Sequence, residues 1–379
     1  MKKLLLLLTL APCTAIGQSY DVLFIGNSYT YSNNLPQQVA GLASSFGDTI
    51  NYDSSTPGGA TFNAHSSNAT TLAKISQQEW DYVVLQAQSQ EPSFSPAQVA
   101  NDVYPYAQIL VDSIAQNSLC TEPLFFMTWG RKYGDQQNCM FYPPICTYEG
   151  MQNRLRESYL EMATTNNASV SPVGISWKNS IALDSMINLY SGDNSHPSIY
   201  GSYLAACTFY SSIFKKSCVG SAFWPVGVDS ATAVFLQTVA SNTVLDTLST
   251  WNIFNADFSY VIMGDSVVLT NSSSNYESLM WDFGDGNQST STNPTHSYSA
   301  SGSYTLTLTA YNNDSCFTDT LSASIQIGVV SSLDEKPKKE KTLQTITDLL
   351  GRTTQPVPNS VLFYIYDDGS VEKRIRLER

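Results

Sequence analysis

Histidine is nearly absent from this chain. Its 379 residues contain three, His65, His196 and His296, so a histidine-rich metal centre is excluded. Charged residues make up only 13%, and 19 Lys+Arg against 32 Asp+Glu leave a formal net charge of −13. A surface with that average field repels a phosphate backbone, so nucleic acid is not an expected partner. No apolar run approaches the ~20 residues of a membrane-spanning helix, and no transmembrane segment is expected. No two cysteines have the CxxC spacing of a zinc site, and no metal or cofactor is expected. What remains is a foldable composition, 42% hydrophobic with 21 Gly and 16 Pro. The length suits two or three domains of roughly 100 to 200 residues each.

Residues 1–17 open with Met1-Lys2-Lys3, continue in an apolar run from Leu4 to Leu10 and end in Ala15-Ile16-Gly17. This is the basic, apolar and small-residue order of a secretory signal peptide, with cleavage expected after Gly17. The mature chain is therefore expected to be secreted or attached to a cell surface. Cys13 has a second reading as a lipoprotein cysteine, against which Pro12 stands. Without the signal, Cys120, Cys139, Cys146, Cys207, Cys218 and Cys316 remain. In an oxidising milieu the close pairs Cys139/Cys146 and Cys207/Cys218 are the expected disulfides.

The cations are unevenly spread. Residues 18–330 hold eight (Lys74, Arg131, Lys132, Arg154, Arg156, Lys178, Lys215 and Lys216), whereas 331–379 hold nine. The tail is thus a separate segment, with a charged linker from Asp334 to Lys341 and a hairpin signal at Asp368-Gly369 between apolar-rich runs. It resembles the C-terminal segments of proteins exported by the type IX secretion route, although it is shorter; a small hairpin closing the last domain is the other reading. Between Asn252 and Gly328 there is no Lys or Arg, and short strands are predicted at Ser266–Thr270, Leu279–Phe283 and Ser303–Ala310. Trp281-Asp282-Phe283-Gly284-Asp285-Gly286, followed by Pro294, His296-Ser297-Tyr298 and Gly302 to Leu308, resembles the PKD domain, an immunoglobulin-like β-sandwich. Over residues 251–330 the resemblance implies a spacer, or a module in contact with glycan, protein or a surface. Asp282, Asp285 and Gly286 suit a tight turn better than a calcium site, and His296 reads as a hydrogen-bonded turn residue.

Ahead of that region, strand-like and helix-length segments alternate, the pattern of a doubly wound α/β sheet. Asp21-Val22-Leu23-Phe24-Ile25 runs into Gly26-Asn27-Ser28-Tyr29, and a helical stretch begins near Leu35-Pro36. A strand entering a Gly-bounded turn before a helix puts Ser28 at the carboxyl edge of a parallel sheet, where open α/β folds build their sites. Tyr82 to Leu85 enters Gln86-Ala87-Gln88-Ser89-Gln90, and Pro123 to Met127 enters Thr128-Trp129-Gly130. Far down the chain, Asp193 and His196 stand three apart in a polar loop ending at Pro197. That spacing lets a carboxylate orient one ring nitrogen while the other takes a proton from a serine, help that a neutral hydroxyl needs.

Gly26-Asn27-Ser28, Gly58-Gly59-Ala60-Thr61 and Asp193-x-x-His196-Pro197, in that order over residues 20–218, resemble the SGNH (GDSL-type) hydrolases. The resemblance implies a flavodoxin-like three-layer α/β/α domain over residues 18–250, ahead of the all-β sandwich. It also implies Ser28 as nucleophile, His196 as general base and then acid, and Asp193 as its orienting partner. The oxyanion hole would take the backbone N–H groups of Ser28 and Gly59 and a side-chain amide. Two departures stand out. Asn27 replaces the usual Asp before the serine, and Gln86 to Gln90 replace a Gly-x-Asn-Asp run, leaving Gln88 as first and Gln86 as second choice for the amide. His65 is read either as lining the acyl or sugar pocket or as a hydrogen-bonded loop residue. Arg131, with Lys132, is read either as gripping an acidic substrate group or as a solvated pair.

The expected activity is that of a secreted serine esterase. It would cleave acetyl or other short acyl esters, small or on carbohydrate, through an acyl-enzyme. The alternative is a catalytically weak or inactive glycan-binding or adhesion protein that works through the PKD-like module. A lipase on long acyl chains would need an apolar groove that no part of the sequence marks.

Overall fold

The computed structural model describes residues 17–312, 316–328, 342–348, 351–357, 361–367 and 370–375. The stretch through Ile16 that the sequence marks as an expected signal peptide, with Cys13, lies outside the described residues, as do the charged linker and the Asp368-Gly369 turn.

Four-residue stretches such as Val22 to Ile25 and Tyr82 to Leu85, apolar at successive positions, read as strands covered on both faces, and here they are. In chain order the elements are β1 (Ser19–Ile25), α1 (Ser28–Tyr31), α2 (Leu35–Ser45), β2 (Thr49–Ser55), α3 (Phe62–Ser66), α4 (Ala69–Ile75) and β3 (Tyr82–Leu85). Then follow α5 (Pro96–Asp102), α6 (Tyr104–Asn117), β4 (Glu122–Phe126), α7 (Tyr148–Thr165), β5 (Ser169–Ser171), α8 (Val173–Leu183), α9 (Ile199–Phe214) and α10 (Ser230–Leu245). The sheet order is β2-β1-β3-β4-β5 with every pair parallel, the flavodoxin-like arrangement. Val22 and Phe24 pack into one core with α2, α8 and α9, while Leu23 and Ile25 pack into the other with α3, α6 and α7. This alternation is the period-two consequence of a strand buried on both sides. Helices α5 and α6 are separated at Val103, which has φ −121 and ψ −56. Pro105 has no N–H to bond back to Asn101, so it cannot continue α5 and stands instead in the first turn of α6.

The sandwich comprises β6 (Phe258–Met263), β7 (Ser266–Asn271), β8 (Ser278–Asp282), β9 (Gln288–Ser289), β10 (Thr295–Ser297), β11 (Gly302–Asn312) and β12 (Phe317–Ile327). Antiparallel sheets β10-β7-β6 and β12-β11-β8-β9 enclose Trp281, Leu269, Leu306, Leu308 and Ile325. The turn after β8 is built from short-range bonds: Asp282 Oδ1 accepts from Gly284 N (2.8 Å), and Asp285 Oδ1 accepts from Asn287 N (3.0 Å). Gly284 has φ +77, and an added Cβ would meet the Thr305 carbonyl oxygen at 2.6 Å, so a side chain is barred there. His296 stacks on Phe283 and reaches Asp285 Oδ2 at 2.8 Å, which makes it a structural turn residue.

The sandwich meets the α/β sheet at the end where its strands begin. Cys120, two residues before β4, is bonded to Cys316 across a sequence separation of 196, and Lys215 pairs with Asp319 at 3.0 Å. The second disulfide is Cys139–Cys146, as expected. The expected Cys207–Cys218 bridge is absent. Both thiols are buried and free, and the Cys218 thiol donates to the Gln237 carbonyl at 3.4 Å. From Gly328 onward the chain forms a second compact unit. There β13 (Leu343–Thr347), β14 (Val361–Tyr366) and β15 (Val371–Ile375) make an antiparallel sheet, one strand more than a hairpin.

Candidate active site

β1 delivers its chain to the carboxyl edge of the sheet, where Asn27 starts α1. The Asn27 side chain is buried and works in two directions. Its Oδ1 accepts from Tyr29 N (3.1 Å), and its Nδ2 donates to the Ala60 carbonyl (3.0 Å). The first bond caps the helix, as an aspartate also does; the second needs an amide donor. Asn27 therefore ties the turn before Ser28 to the Gly58–Gly59 turn that follows β2. Gly59 sits at φ +69, a conformation open to glycine at little cost. Among the described residues, neither the Ser28 N–H nor the Gly59 N–H has a hydrogen-bond partner.

The second half of the site comes from the loop between α8 and α9. Its ends are held by Ser191 N–H to His196 O (2.8 Å) and Ser198 N–H to Leu189 O (2.8 Å), and Ser198 caps α9. Gly201 lets that helix approach: a Cβ there would lie 2.3 Å from Leu189 O and 2.5 Å from the Trp177 ring. Asp193 Oδ1 accepts from Ser191 Oγ (2.7 Å), Ser195 N (3.0 Å) and His196 N (2.9 Å), and Oδ2 meets His196 Nδ1 at 2.5 Å. Partial burial pushes the Asp193 carboxyl up, but the hydrogen bonds from His196, Ser191 and the two backbone N–H groups outweigh it and hold the group well below the usual carboxylate range. An ionised Asp193 fixes the proton on Nδ1. His196 Nε2 is then an acceptor, and it lies 2.8 Å from Ser28 Oγ. Asn33 stitches the halves together, its Nδ2 donating to Pro197 O (3.2 Å) and Ser202 Oγ (2.9 Å). Ser28, His196 and Asp193 thus form one hydrogen-bonded line, open to solvent, with side-chain exposures of 39% at His196 and 48% at Asp193.

The other expected residues divide. Gln86 is fully buried; its Oε1 accepts from Asn27 N (2.9 Å) and Thr30 Oγ1 (2.8 Å), and its Nε2 donates to Ala87 O. It braces the turn before Ser28 from beneath, and its amide is not free for the donor role expected of it. Gln88 spends its carbonyl on Gln90 N (2.6 Å) and Glu91 N (3.2 Å), whereas its amide nitrogen makes one long contact, 3.4 Å to Gln90 Oε1. His65 does not line a pocket, because it is completely buried. Burial pushes its imidazole down, only partly offset by its bond to Gly26, and so favours the neutral ring. Nε2 donates to Gly26 O (2.8 Å), and Nδ1 then accepts from Thr71 Oγ1 (2.9 Å). Arg131 stands one residue before Lys132, whose N–H bonds Asn194 O (3.0 Å), and its nearest carboxylate oxygen, on Asp135, is 3.6 Å away.

The sequence reading passed over Tyr29 and Trp129. Their rings stack in parallel 4.6 Å apart, and Trp129 in turn stacks on Trp177 at 3.9 Å. The available signal was positional, since Trp129 lies three residues and Tyr29 four residues beyond the carboxyl end of a strand.

Residues 262–327 match the family model of the PKD domain. Among solved structures, a DUF4886 family protein from Bacteroides uniformis aligns with TM-score 0.52 and 18% identity, over 60% of this chain and 95% of that one. It shows the fold of the α/β domain. A catalytic variant of the acetylxylan esterase Axe2 from Geobacillus stearothermophilus aligns with TM-score 0.38 and 17% identity, over 51% of this chain and 94% of that one. The PKD1 domain of the Vibrio cholerae metalloprotease PrtV is 38% identical over 20% of this chain and 96% of its own, with TM-score 0.19. No curated protein matches the chain.

Proposed function

We propose that the chain is a secreted ester hydrolase that works through an acyl-enzyme on Ser28. The observation that carries this reading is the continuous line from Ser28 Oγ to His196 Nε2 (2.8 Å) and from His196 Nδ1 to Asp193 Oδ2 (2.5 Å). Ser28 Oγ attacks the ester carbonyl as its proton passes to His196 Nε2, and Asp193 stabilises the imidazolium that results. Negative charge on the carbonyl oxygen is met by the unpartnered N–H groups of Ser28 and Gly59, with Gln88 Nε2 as the third donor. Each such donor is worth about 10² to 10³ in rate. His196 returns the proton to the leaving alcohol, then takes one from a water that attacks the acyl-enzyme and frees Ser28.

The substrate is a short acyl ester, acetyl foremost, on a bulky alcohol such as a carbohydrate. Support comes from the openness of the triad, which admits a large alcohol, and from the attached sandwich. Arg131, whose Nη1 pairs with Asp135 Oδ1 at 3.6 Å, receives an acidic substituent of the substrate through its remaining donors. Two disulfides among the described residues fit the oxidising compartment that export implies. The test is hydrolysis of 4-nitrophenyl acetate by the full chain. Ser28→Ala is expected to abolish turnover while leaving the melting temperature near wild type; equal turnover in both proteins removes Ser28 from the mechanism.

A further inference from the structure

The nucleophile and the base are each followed or preceded by a residue that repeats their bond. Beside the Ser28–His196 contact, Tyr29 OH meets Ser195 Oγ at 2.6 Å, so two consecutive residues of α1 pair with two consecutive residues of the histidine loop. Ser195 is held from its main chain as well, because Trp129 Nε1–H donates to Ser195 O at 3.0 Å. The Tyr29 ring also meets the His196 imidazole edge to face, with centroids 5.2 Å apart. Behind this contact the rings of Tyr29, Trp129 and Trp177 form a parallel stack, each interplanar angle 2°. Tyr190 closes the stack edge-on against Trp177 and donates its phenol proton to Gly130 O at 2.7 Å. Such a stack of large, buried rings, with Tyr29, Trp129 and Tyr190 hydrogen-bonded, has few alternative rotamers.

The loop it supports is the exposed part of the site. Asp193 orients the imidazole, but both lie on the same short loop and move together, so their mutual bond does not fix where the ring sits relative to Ser28. The bonds to Ser195 come from other elements and do fix it. We infer that Tyr29 and Trp129 are positioning residues of the hydrolase, clamping Ser195 so that His196 Nε2 stays on Ser28 Oγ. Neither touches substrate: Tyr29 is 2% exposed and Trp129 is fully buried.

The inference rests on the hydrolase reading, and the test separates the two. Full chain is treated with phenylmethanesulfonyl fluoride, and the second-order rate of sulfonylation at Ser28 is followed by mass spectrometry, a readout of nucleophile activation that needs no knowledge of the natural ester. Tyr29→Phe keeps the ring stack and removes one hydrogen bond. Its rate is expected to fall about tenfold, the worth of one partly buried hydrogen bond expressed at the reacting groups. Ser195→Ala removes the same bond from the other side, and the double variant is expected to react no more slowly than the slower single one. Ser195→Thr, which restores a hydroxyl, is expected to recover most of the rate. For 4-nitrophenyl acetate the loss should fall on kcat, with KM changed less than twofold. Additive losses in the double variant, a rate in Tyr29→Phe equal to wild type, or a loss confined to KM overturns the inference and leaves the hydrolase reading intact. Failure of wild-type Ser28 to react overturns both.

Discussion

Asn27 offers an informative perturbation, because replacing it with aspartate restores the residue usual before an SGNH serine. In this structure the two residues are not equivalent. An aspartate keeps the cap on Tyr29 N but faces the Ala60 carbonyl with a second acceptor where Nδ2 now donates at 3.0 Å. Losing a buried bond and stranding its partner costs about 1 to 3 kcal/mol. If that cost is felt as displacement of the Gly58–Gly59 turn, kcat/KM falls between about fivefold and 10²-fold. A protonated carboxyl can donate to Ala60 O in the amide's place, and burial without a cation raises the carboxyl's pKa. The ratio of variant to wild-type kcat/KM should therefore rise as the pH is lowered from 8 to 5.5. Taking the ratio cancels any pH dependence common to the two proteins. The assay is initial-rate hydrolysis of 4-nitrophenyl acetate across that range, with thermal melts alongside. A ratio near one, or one that does not change with pH, refutes the idea that the Asn27–Ala60 bond sets the oxyanion turn.

Other outcomes follow from the same geometry. Arg131→Gln should lower kcat/KM about fivefold for acyl esters bearing a carboxylate relative to neutral ones, as expected for one partly exposed charge contact, and a competition assay with matched substrates reads the ratio. Burial pushes the Glu122 carboxyl up to about 7, with its bonds to Ser169 working the other way. The folded chain thus holds this proton where the unfolded chain releases it, so stability from this group is complete below about pH 4.5, falls as pH rises to about 7 and is level above. Glu122→Gln should remove that slope and gain on the order of 3 kcal/mol at pH 8, measured by denaturant titration at several pH values. Removing the Cys120–Cys316 bridge with two serines frees a loop of 196 residues, a loss of up to about 5 kcal/mol on the chain-entropy account. Ester turnover at 25 °C should be retained, because the joint lies at the opposite end of the sheet; coupled loss of both would contradict the placement.

The sequence makes the triad legible because each part carries a local mark: a strand before Gly26 and Ser28, and three-residue spacing between Asp193 and His196. It makes β1 and β3 legible because buried parallel strands are nearly continuous apolar runs. β5 carries no such mark, since Ser169 and Ser171 flank a single Val170 and its burial is imposed by neighbouring helices. The fate of the glutamines is equally hidden, because whether an amide spends itself on its own loop depends on backbone geometry that composition does not encode. Which of the two readings of His65 holds is hidden for the same reason: it lies near the Gly58–Gly59 turn in sequence but faces inward to Gly26, hydrogen-bonded at both ring nitrogens. The Cys120–Cys316 bridge joins residues whose distance along the chain gives no hint of contact, whereas Cys139–Cys146 declares itself by proximity.

That long bridge also governs how the protein withstands proteolysis. A single peptide cleavage anywhere between Cys120 and Cys316 leaves two fragments that remain covalently joined, and the piece holding His196 cannot drift from the piece holding Ser28. Cleavage beyond Ile327 releases only tail. The interval in which one cut severs Ser28 from His196 runs from Ser28 to Cys120, most of it packed strand and helix. In a medium rich in digestive enzymes, the exposed loops after that interval are expendable as chain, and nicked molecules need not be dead ones.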